Sequence, residues 1–432
     1  MLIRLRVRNL LSFGSETEFS LSAGKITKKH NNHIRRVGRT SILRGCAIFG
    51  PNAAGKSNLL TAIALIERMM IDNSCAAVAG RQFRLSKKIQ SDIGFDVEYE
   101  YNEHIFQYEI VTDGSVVKKE ILSCLDGDTP EVLFSRIQGD MVLGARLKDY
   151  LWYEQRTCKD NAFYLMKLAQ DGIRENRKTI PESKIMLDAC WGMKQFIVID
   201  ASRQALLGDK YYAKLQTEDF RKFLVSLLNW ADVGISEVSY RKLTGSEADS
   251  LLLKYRAVIP DDLHDGWSRV VLESPSYYLL TSDGTNVSVC EICCKHGGHF
   301  FRASEESQGT IKLIQLSSLL YQLREKSSRM AWFVDEFDSK LHTLISQALL
   351  NQYMGTDEIL SSQLVVAVHD TNLLTHDIWR TDEICLVTKD REQHSSKVLR
   401  LDSLSPRFDK RLAKGYINGE YGSLPNLGVA KF

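Results

Sequence analysis

Gly50-Pro51-Asn52-Ala53-Ala54-Gly55-Lys56-Ser57 fits the pattern G-x-x-x-x-G-K-[ST] at every fixed position. Each fixed type has a physical role. Glycines let backbone N–H groups curl around phosphate oxygens, and a helix that starts at the loop adds the positive end of its dipole. Lys56 reaches the β- and γ-phosphates of a bound nucleotide, and the Ser57 hydroxyl is a ligand for Mg²⁺. The backbone of Gly50 to Ser57, with Asn58 just after it, is therefore the expected cradle for ATP. A second chemical element is Met330-Ala-Trp-Phe-Val-Asp335-Glu336, an apolar run ending in adjacent carboxylates. It offers Asp335 to hold Mg²⁺ and Glu336 to take the proton of the attacking water. A third is Leu364-Val-Val-Ala-Val-His369, a histidine just beyond an apolar run. There it can hydrogen-bond the γ-phosphate or the water, because open α/β sheets place ligands at the carboxyl ends of their strands.

Elements must position these groups. Ser41 to Phe49 reads as one apolar strand entering the loop, and a helix from about 57 to 70 leaves it. Period-two alternation marks strands at 2–8 and 19–21. A meander over 94–125 turns at Asn102-Glu103 and Asp113-Gly114. From 140 to 262 the spacing changes to threes and fours, as in Leu147, Tyr150, Leu151 and again in Phe220, Phe223, Leu224, Leu227, so this block reads as a mainly helical insertion. Strands return near 268–301. A helix spans 308–325, strands 330–334 and 364–368 flank a helix at 341–354, and a hairpin closes at 383–401. The expected organisation is an N-terminal lobe at 1–139 with the phosphate loop, the insertion at 140–262, and a C-terminal lobe at 263–432.

Phosphate loop, paired carboxylates and strand-end histidine, in that order and split by a long insertion, resemble the head of ABC-type ATPases. The fold class this implies is α/β: a P-loop NTPase head with a mixed sheet, N-terminal antiparallel strands and a helical insertion. The resemblance also implies a signature segment upstream of the carboxylate strand. Glu305-Glu306-Ser307-Gln308-Gly309-Thr310 sits there and looks like the degenerate Ser-x-Gly signature of SMC-like heads. In such heads the signature serine and glycine of one subunit close over the γ-phosphate held by another, which implies a homo-oligomer of ATP-sandwiching pairs.

A narrower resemblance rests on Asn9-Leu-Leu-Ser-Phe13, Ile48 to Leu60, Asp335-Glu-Phe-Asp-Ser-Lys-Leu-His342 and Gly415 to Pro425. These are similar to bacterial AAA/ABC-like ATPases of phage-defence operons, the ATPase subunits of PARIS, Septu, OLD and Rlo systems. The resemblance implies an ATP-hydrolysing sensor that controls a separate toxic effector, a nuclease, in response to a phage trigger, with DNA as a further candidate partner. Only roughly 60 residues follow His369, too few for an appended nuclease domain. Two departures stand out: the serine usual before the second loop glycine is Ala54, and the glutamine that completes Mg²⁺ binding in many such heads has only Gln82 and Gln90 as candidates in its region.

Rival readings are an SMC-like ATPase of DNA repair or chromosome maintenance, a transporter-associated ATPase, and a scaffold that binds ATP without turnover. Residues 140–260 lack the heptads of long SMC arms, and no Leu-Ser-Gly-Gly-Gln segment marks a transporter ATPase. Cys290, Cys293, Cys294, His296 and His299 supply zinc ligand types within ten residues, but the spacing is too short for a classical finger.

The composition is that of an ordinary globular chain. The 432 residues are 44% hydrophobic and 25% charged, with a net charge of +2, so overall charge predicts no partner. No run approaches the ~20 apolar residues of a membrane span. No apolar signal core opens the sequence, and nine scattered cysteines suit a reducing compartment, so a cytoplasmic protein is expected. Locally, residues 19–66 hold Lys25, Lys28, Lys29, Arg35, Arg36, Arg39, Arg44 and Lys56 with no acid beyond Phe19, which leaves a phosphate-attracting surface and a solvated loop equally open.

Overall fold

Arg44 breaks the apolar run that leads to the phosphate loop. In the computed structural model the expected strand 41–49 is two strands in two sheets: Thr40–Leu43 pairs with Ile34–Val37 in a hairpin, and Gly45–Phe49 enters a six-stranded sheet. The cause is a buried charge. Arg44 is 1% exposed, donates from Nη1 to the Asn32 carbonyl at 2.7 Å, and places its guanidinium over the Tyr353 ring. Its Nε and Nη2 are buried without a hydrogen-bond partner, and the ladder breaks at this residue.

The structure describes all residues except 25–29, 87–90, 149–157, 175–180, 200–216, 262, 274–275, 326–327, 357–360, 391, 405, 407–410 and 423–432. Contacts group the chain into two units. The first comprises Met1–Val198, Lys326–Phe337 and Gln347–Phe432, and the second Ile199–Glu325 and Asp338–Ser346. The block 140–262 contributes to both: helices Tyr164–Arg174 and Pro181–Met193 to the first, helices Glu218–Trp230 and Ser246–Lys254 to the second. Strand Glu237–Lys242 lies between the latter two. Tyr150 and Leu151, used in the helical reading, fall outside the described residues.

The first unit holds two large sheets. One is a seven-stranded antiparallel sheet in which strand Leu2–Arg8 lies between Thr17–Ser20 and Ile93–Tyr101, and the meander runs on through His104–Thr112, Val117–Cys124, Glu131–Ile137 and Asp140–Leu143. The other, in order across the sheet, is Phe196–Ile199, Ala331–Val334, Gln363–Ala367, Gly45–Phe49, Ile384–Lys389 and Ser396–Arg400. The pairings from Ala331–Val334 to Ile384–Lys389 are parallel, and the last is the expected closing hairpin.

Helix Lys56–Asp72 is buried almost all round, by Leu59, Leu60, Ile63, Ala64, Ile66, Met69 and Met70. Such a helix needs apolar neighbours on every side. One cluster supplies them, joining Leu5, Val97 and Tyr99 of the antiparallel sheet with Ile48, Phe333 and Val365 of the parallel one. Gln363, fully buried, links the two sheets: its Nε2 donates to the carbonyls of Leu2 at 3.0 Å and Leu43 at 2.7 Å, while its Oε1 accepts from the Leu2 amide at 2.9 Å.

In the second unit, strands Asp265–Glu273, Ser276–Asp283, Val287–His296 and Glu237–Lys242 form an antiparallel sheet with His299–Arg302 on Val287–His296, and helix Gln308–Leu323 packs with Glu218–Trp230. The architecture is α/β, with a parallel sheet that carries the Gly50–Ser57 loop and separate antiparallel sheets. Among the described residues no helix is long and apolar enough to cross a membrane.

Candidate functional site

Strand register brings three of the predicted groups to one edge. Val334 pairs with Val366, and Val366 with Ala47. Asp335 and Glu336 are therefore one and two residues beyond this row, and His369 and Gly50 are each three beyond it. All four leave the carboxyl ends of neighbouring parallel strands, where the sheet ends in loops. Backbone hydrogen bonds stitch those ends together: the Phe337 amide donates to the Ala367 carbonyl at 3.0 Å, and the Val368 amide to the Ile48 carbonyl at 3.1 Å.

The loop is shaped by its glycines. A Cβ on Gly50 would stand 2.3 Å from the Val387 carbonyl oxygen, and one on Gly55, whose φ is +115°, 2.3 Å from Ser396 Oγ. Ala53 also takes a positive φ of 61°, and Ala54 is buried while Asn52, Ala53 and Ser57 are exposed. Ala54 in place of the usual serine thus packs inward. Lys56 is 5% exposed, and its Nζ donates to the Gly50 carbonyl at 2.6 Å and to that of Pro51 at 3.3 Å, so its charge is held within the loop's own curve.

Two residues that motif reasoning missed support this loop from outside. Ser396 donates its hydroxyl to the Ala54 carbonyl at 2.6 Å, shares a hydrogen bond with Ser12 Oγ at 2.7 Å, and gives its amide to the Ser12 carbonyl at 2.7 Å. Ser12 lies in the Asn9–Phe13 stretch, which carried a resemblance but no stated role; Ser396 carried no sequence signal.

Asp335 is 7% exposed, and its Oδ1 accepts the Glu336 amide at 3.0 Å. Glu336 is half-buried with a φ of 48°, a left-handed backbone that costs a non-glycine residue ~1 kcal/mol or more. His369 is exposed. Strain of this kind persists where surrounding structure imposes it and concentrates at functional sites. Gln82 donates to the Ser91 and Asp113 carbonyls, both at 3.3 Å, and so braces loops of the antiparallel sheet; Gln90 lies outside the described residues.

Ser307 and Gly309 belong to the second unit. Exposed Ser307 is the N-cap of helix Gln308–Leu323, accepting the Thr310 amide at 3.1 Å. A Cβ on Gly309 would lie 3.0 Å from the Lys340 carbonyl, so its small size also serves local packing. A pocket of about 410 Å³ in this unit is lined by Glu306, Ser307, Gly309, Lys340 and His342 among others.

Among the described residues of the basic stretch, Arg35, Arg39 and Arg44 are engaged separately. Arg35 pairs with Glu103 at 2.5 Å and donates to Ser361 Oγ at 2.6 Å, Arg39 pairs with Asp128, and Arg44 is buried. Lys25, Lys28 and Lys29 lie outside the described residues. Cys293 and Cys294, adjacent on strand Val287–His296, point to opposite faces, and His296 Nε2 bonds Glu306 at 2.8 Å. Among the described residues, the group with three convergent metal-ligand types is elsewhere, at His104, Cys124 and Asp126.

The groups present fit a nucleoside triphosphate with Mg²⁺. The glycine cradle leaves no room for a Cβ, Lys56 stands inside it, and the donors Ser57 and Asp335 are both oxygen ligands, as a hard cation requires.

A family profile described as "AAA domain, putative AbiEii toxin, Type IV TA system" matches residues 206–375, a stretch that holds Ser307, Gly309, Asp335, Glu336 and His369. No curated protein matches the chain. Among solved structures, the chain is similar to an SmcHead bound to the C-winged helix domain of ScpA, with 16% identity, 93% of this chain and 99% of that chain covered, and a TM-score of 0.44. It is also similar to the SMC head domain from Thermotoga maritima, with 15% identity, 92% and 98% covered, and a TM-score of 0.38. A third is the Smc head domain with an extended coiled coil bound to the C-terminal domain of ScpA derived from Pyrococcus furiosus, with 13% identity, 94% and 97% covered, and a TM-score of 0.43.

Proposed function

We propose that this AAA/ABC-like chain is an ATP-binding and ATP-hydrolysing regulatory subunit of a bacterial anti-phage system, acting from the cytoplasm on a separate toxic effector. The observation that carries the ATPase part is the convergence of Gly50–Ser57, Asp335-Glu336 and His369 on one edge of the parallel sheet. The AAA-domain match, whose description names a toxin of a toxin–antitoxin system, supports the defence setting.

In this mechanism the loop amides and Lys56 hold the β- and γ-phosphates. Mg²⁺, held by Ser57 and Asp335, would supply charge neutralisation at the phosphates. Glu336 accepts the proton of the attacking water, its carboxylate presented by the left-handed turn at the strand end. His369 hydrogen-bonds the γ-phosphate or that water. Ser307 and Gly309 of a second copy close over the nucleotide, so the active form is a pair, and the 140–262 block, which contributes to both units, responds to its closure. The block is the docking region for effector and trigger; DNA is a further candidate ligand.

The test is phage challenge of cells carrying this gene with its neighbouring reading frames. Lys56→Ala and Glu336→Gln should each abolish protection while the protein remains soluble. Protection unchanged in both variants would overturn the reading.

A further inference from the structure

Two strand ends on the rim of the antiparallel sheet bring together three side chains that the nucleotide site does not use. His104 opens strand His104–Thr112 and Cys124 closes strand Val117–Cys124. Phe106 pairs with Cys124, which sets His104 opposite position 126. By the period of two, residues 104, 106, 124 and 126 share one face. The ligand atoms of His104, Cys124 and Asp126 lie within 4.8 Å of one another.

We propose that His104, Cys124 and Asp126 form a zinc-binding site. Tetrahedral zinc, with Zn–N and Zn–O of about 2.0–2.1 Å and Zn–S of about 2.3 Å, sets its ligand atoms roughly 3.3–3.8 Å apart. One imidazole, one thiolate and one carboxylate are ligand types zinc accepts, and three protein ligands leave the fourth position to water.

The arrangement is built in advance. Asp126 Oδ1 accepts the Ile105 amide at 2.7 Å, which orients the carboxylate and leaves Oδ2 toward His104 Nδ1 at 2.6 Å. Outer-shell anchoring of a ligating carboxylate is a recurring feature of metal sites. The Cys124 thiol also hydrogen-bonds Asp126, and burial pushes its pKa up to about 11, so it is a protonated thiol before an ion arrives. Zinc binding would break the S–H bond, form a Zn–S bond and release the proton to solvent, with no change of oxidation state. The side chains of His104 and Asp126 are each 37% exposed, which gives an ion a path to the buried sulfur. Bound zinc would clamp the Asn102-Glu103 turn to the loop after Cys124.

The test is titration of the full chain with Co²⁺ as probe, then displacement by Zn²⁺. A thiolate-to-cobalt charge-transfer band should saturate at one equivalent and vanish on adding Zn²⁺. Cys124→Ser should remove the band, and His104→Ala, at a partly exposed position, should weaken Zn²⁺ binding by about tenfold or more while its circular dichroism matches the wild type. Zinc should also raise the melting temperature of the wild type but not of His104→Ala. Cys290→Ser should behave as wild type. No band in the wild type, or a band and affinity unchanged in His104→Ala, would overturn the site.

Discussion

Ser396 donates its hydroxyl to the carbonyl of Ala54, 342 residues earlier in the chain, at 2.6 Å. This bond ties the closing hairpin to the phosphate loop, and it sits directly against Gly55, whose absent Cβ makes room for it. Ser396 is therefore a positioning residue for the nucleotide cradle. Ser396→Ala should lower ATP affinity by about 2–12-fold, the value of one net hydrogen bond of ~0.5–1.5 kcal/mol, with little effect on turnover of bound ATP. Nucleotide titration and single-turnover hydrolysis separate the two. Ser396→Thr, which keeps the hydroxyl, should restore part of the affinity; equal losses in both variants would assign the effect to packing alone.

Lys56→Ala should abolish ATP binding because it removes the cation inside the cradle. Glu336→Gln should bind ATP and lose hydrolysis by ~10²–10⁴, since the amide keeps the shape but accepts no proton. Nucleotide-binding and phosphate-release assays check both. Full turnover in Glu336→Gln would move the base elsewhere, with His369 next in line.

A buried pair sets a pH dependence of stability. His33 Nδ1 lies 2.9 Å from Glu383 Oε2, and both side chains are at most 1% exposed. Burial, with Arg44 and Arg380 adding to it against Asp382, lowers the His33 pKa to about 4. Burial raises that of Glu383 well above the carboxylate range, against Arg380 and His30. The folded pair is thus neutral, carrying one proton on the carboxyl. The unfolded chain also carries one between pH ~4.5 and ~6.5, on histidine. Folding moves no net proton there, and the pair's contribution is flat. Above ~6.5 the unfolded chain loses that proton and the folded one keeps it, so stability falls as pH rises, by up to ~1.4 kcal/mol per pH unit. Below ~4.5 the unfolded chain binds two, and stability falls as pH drops toward 4. Denaturant unfolding across pH should show both slopes in the wild type, and the double variant His33→Gln with Glu383→Gln should lack them. Parallel pH profiles would refute the neutral pair.

What was legible in the sequence follows from range. Gly50–Ser57 and Asp335-Glu336 stand out in the sequence because phosphate chemistry calls for four fixed residues within eight positions and for two adjacent carboxylates. The helix after the loop and the parallel strands read correctly because burial on all sides leaves continuous apolar runs. The break at Arg44 did not, since one arginine in an apolar run gives no hint that Asn32 and Tyr353 will hold it. Ser396 and Ser12 were invisible as loop supports because ordinary serines acquire that role only through tertiary contact. Metal-ligand types follow the same rule: Cys290 to His299 cluster in sequence as a strand and a turn, whereas His104, Cys124 and Asp126 meet only through cross-strand register.

Assembly gives the last prediction. Ser307 is exposed at the start of a sixteen-residue helix and caps it through Thr310. If this serine completes the ATP site of a second copy, Lys56→Ala and Ser307→Arg damage opposite halves of each composite site. Lys56→Ala cannot hold ATP but presents an intact signature; Ser307→Arg holds ATP but presents a blocked one. Each variant alone should be inactive. In an equal mixture with free exchange, half of the pairs are mixed, and each mixed pair has one competent site out of two. Activity should recover to about one quarter of wild type if sites fire independently. Loss of the cap costs ~1 kcal/mol, so melting curves must show that Ser307→Arg stays folded at the assay temperature. No recovery despite demonstrated exchange would contradict independent composite sites, and full activity from a strictly monomeric Ser307→Arg protein would remove the sandwich altogether.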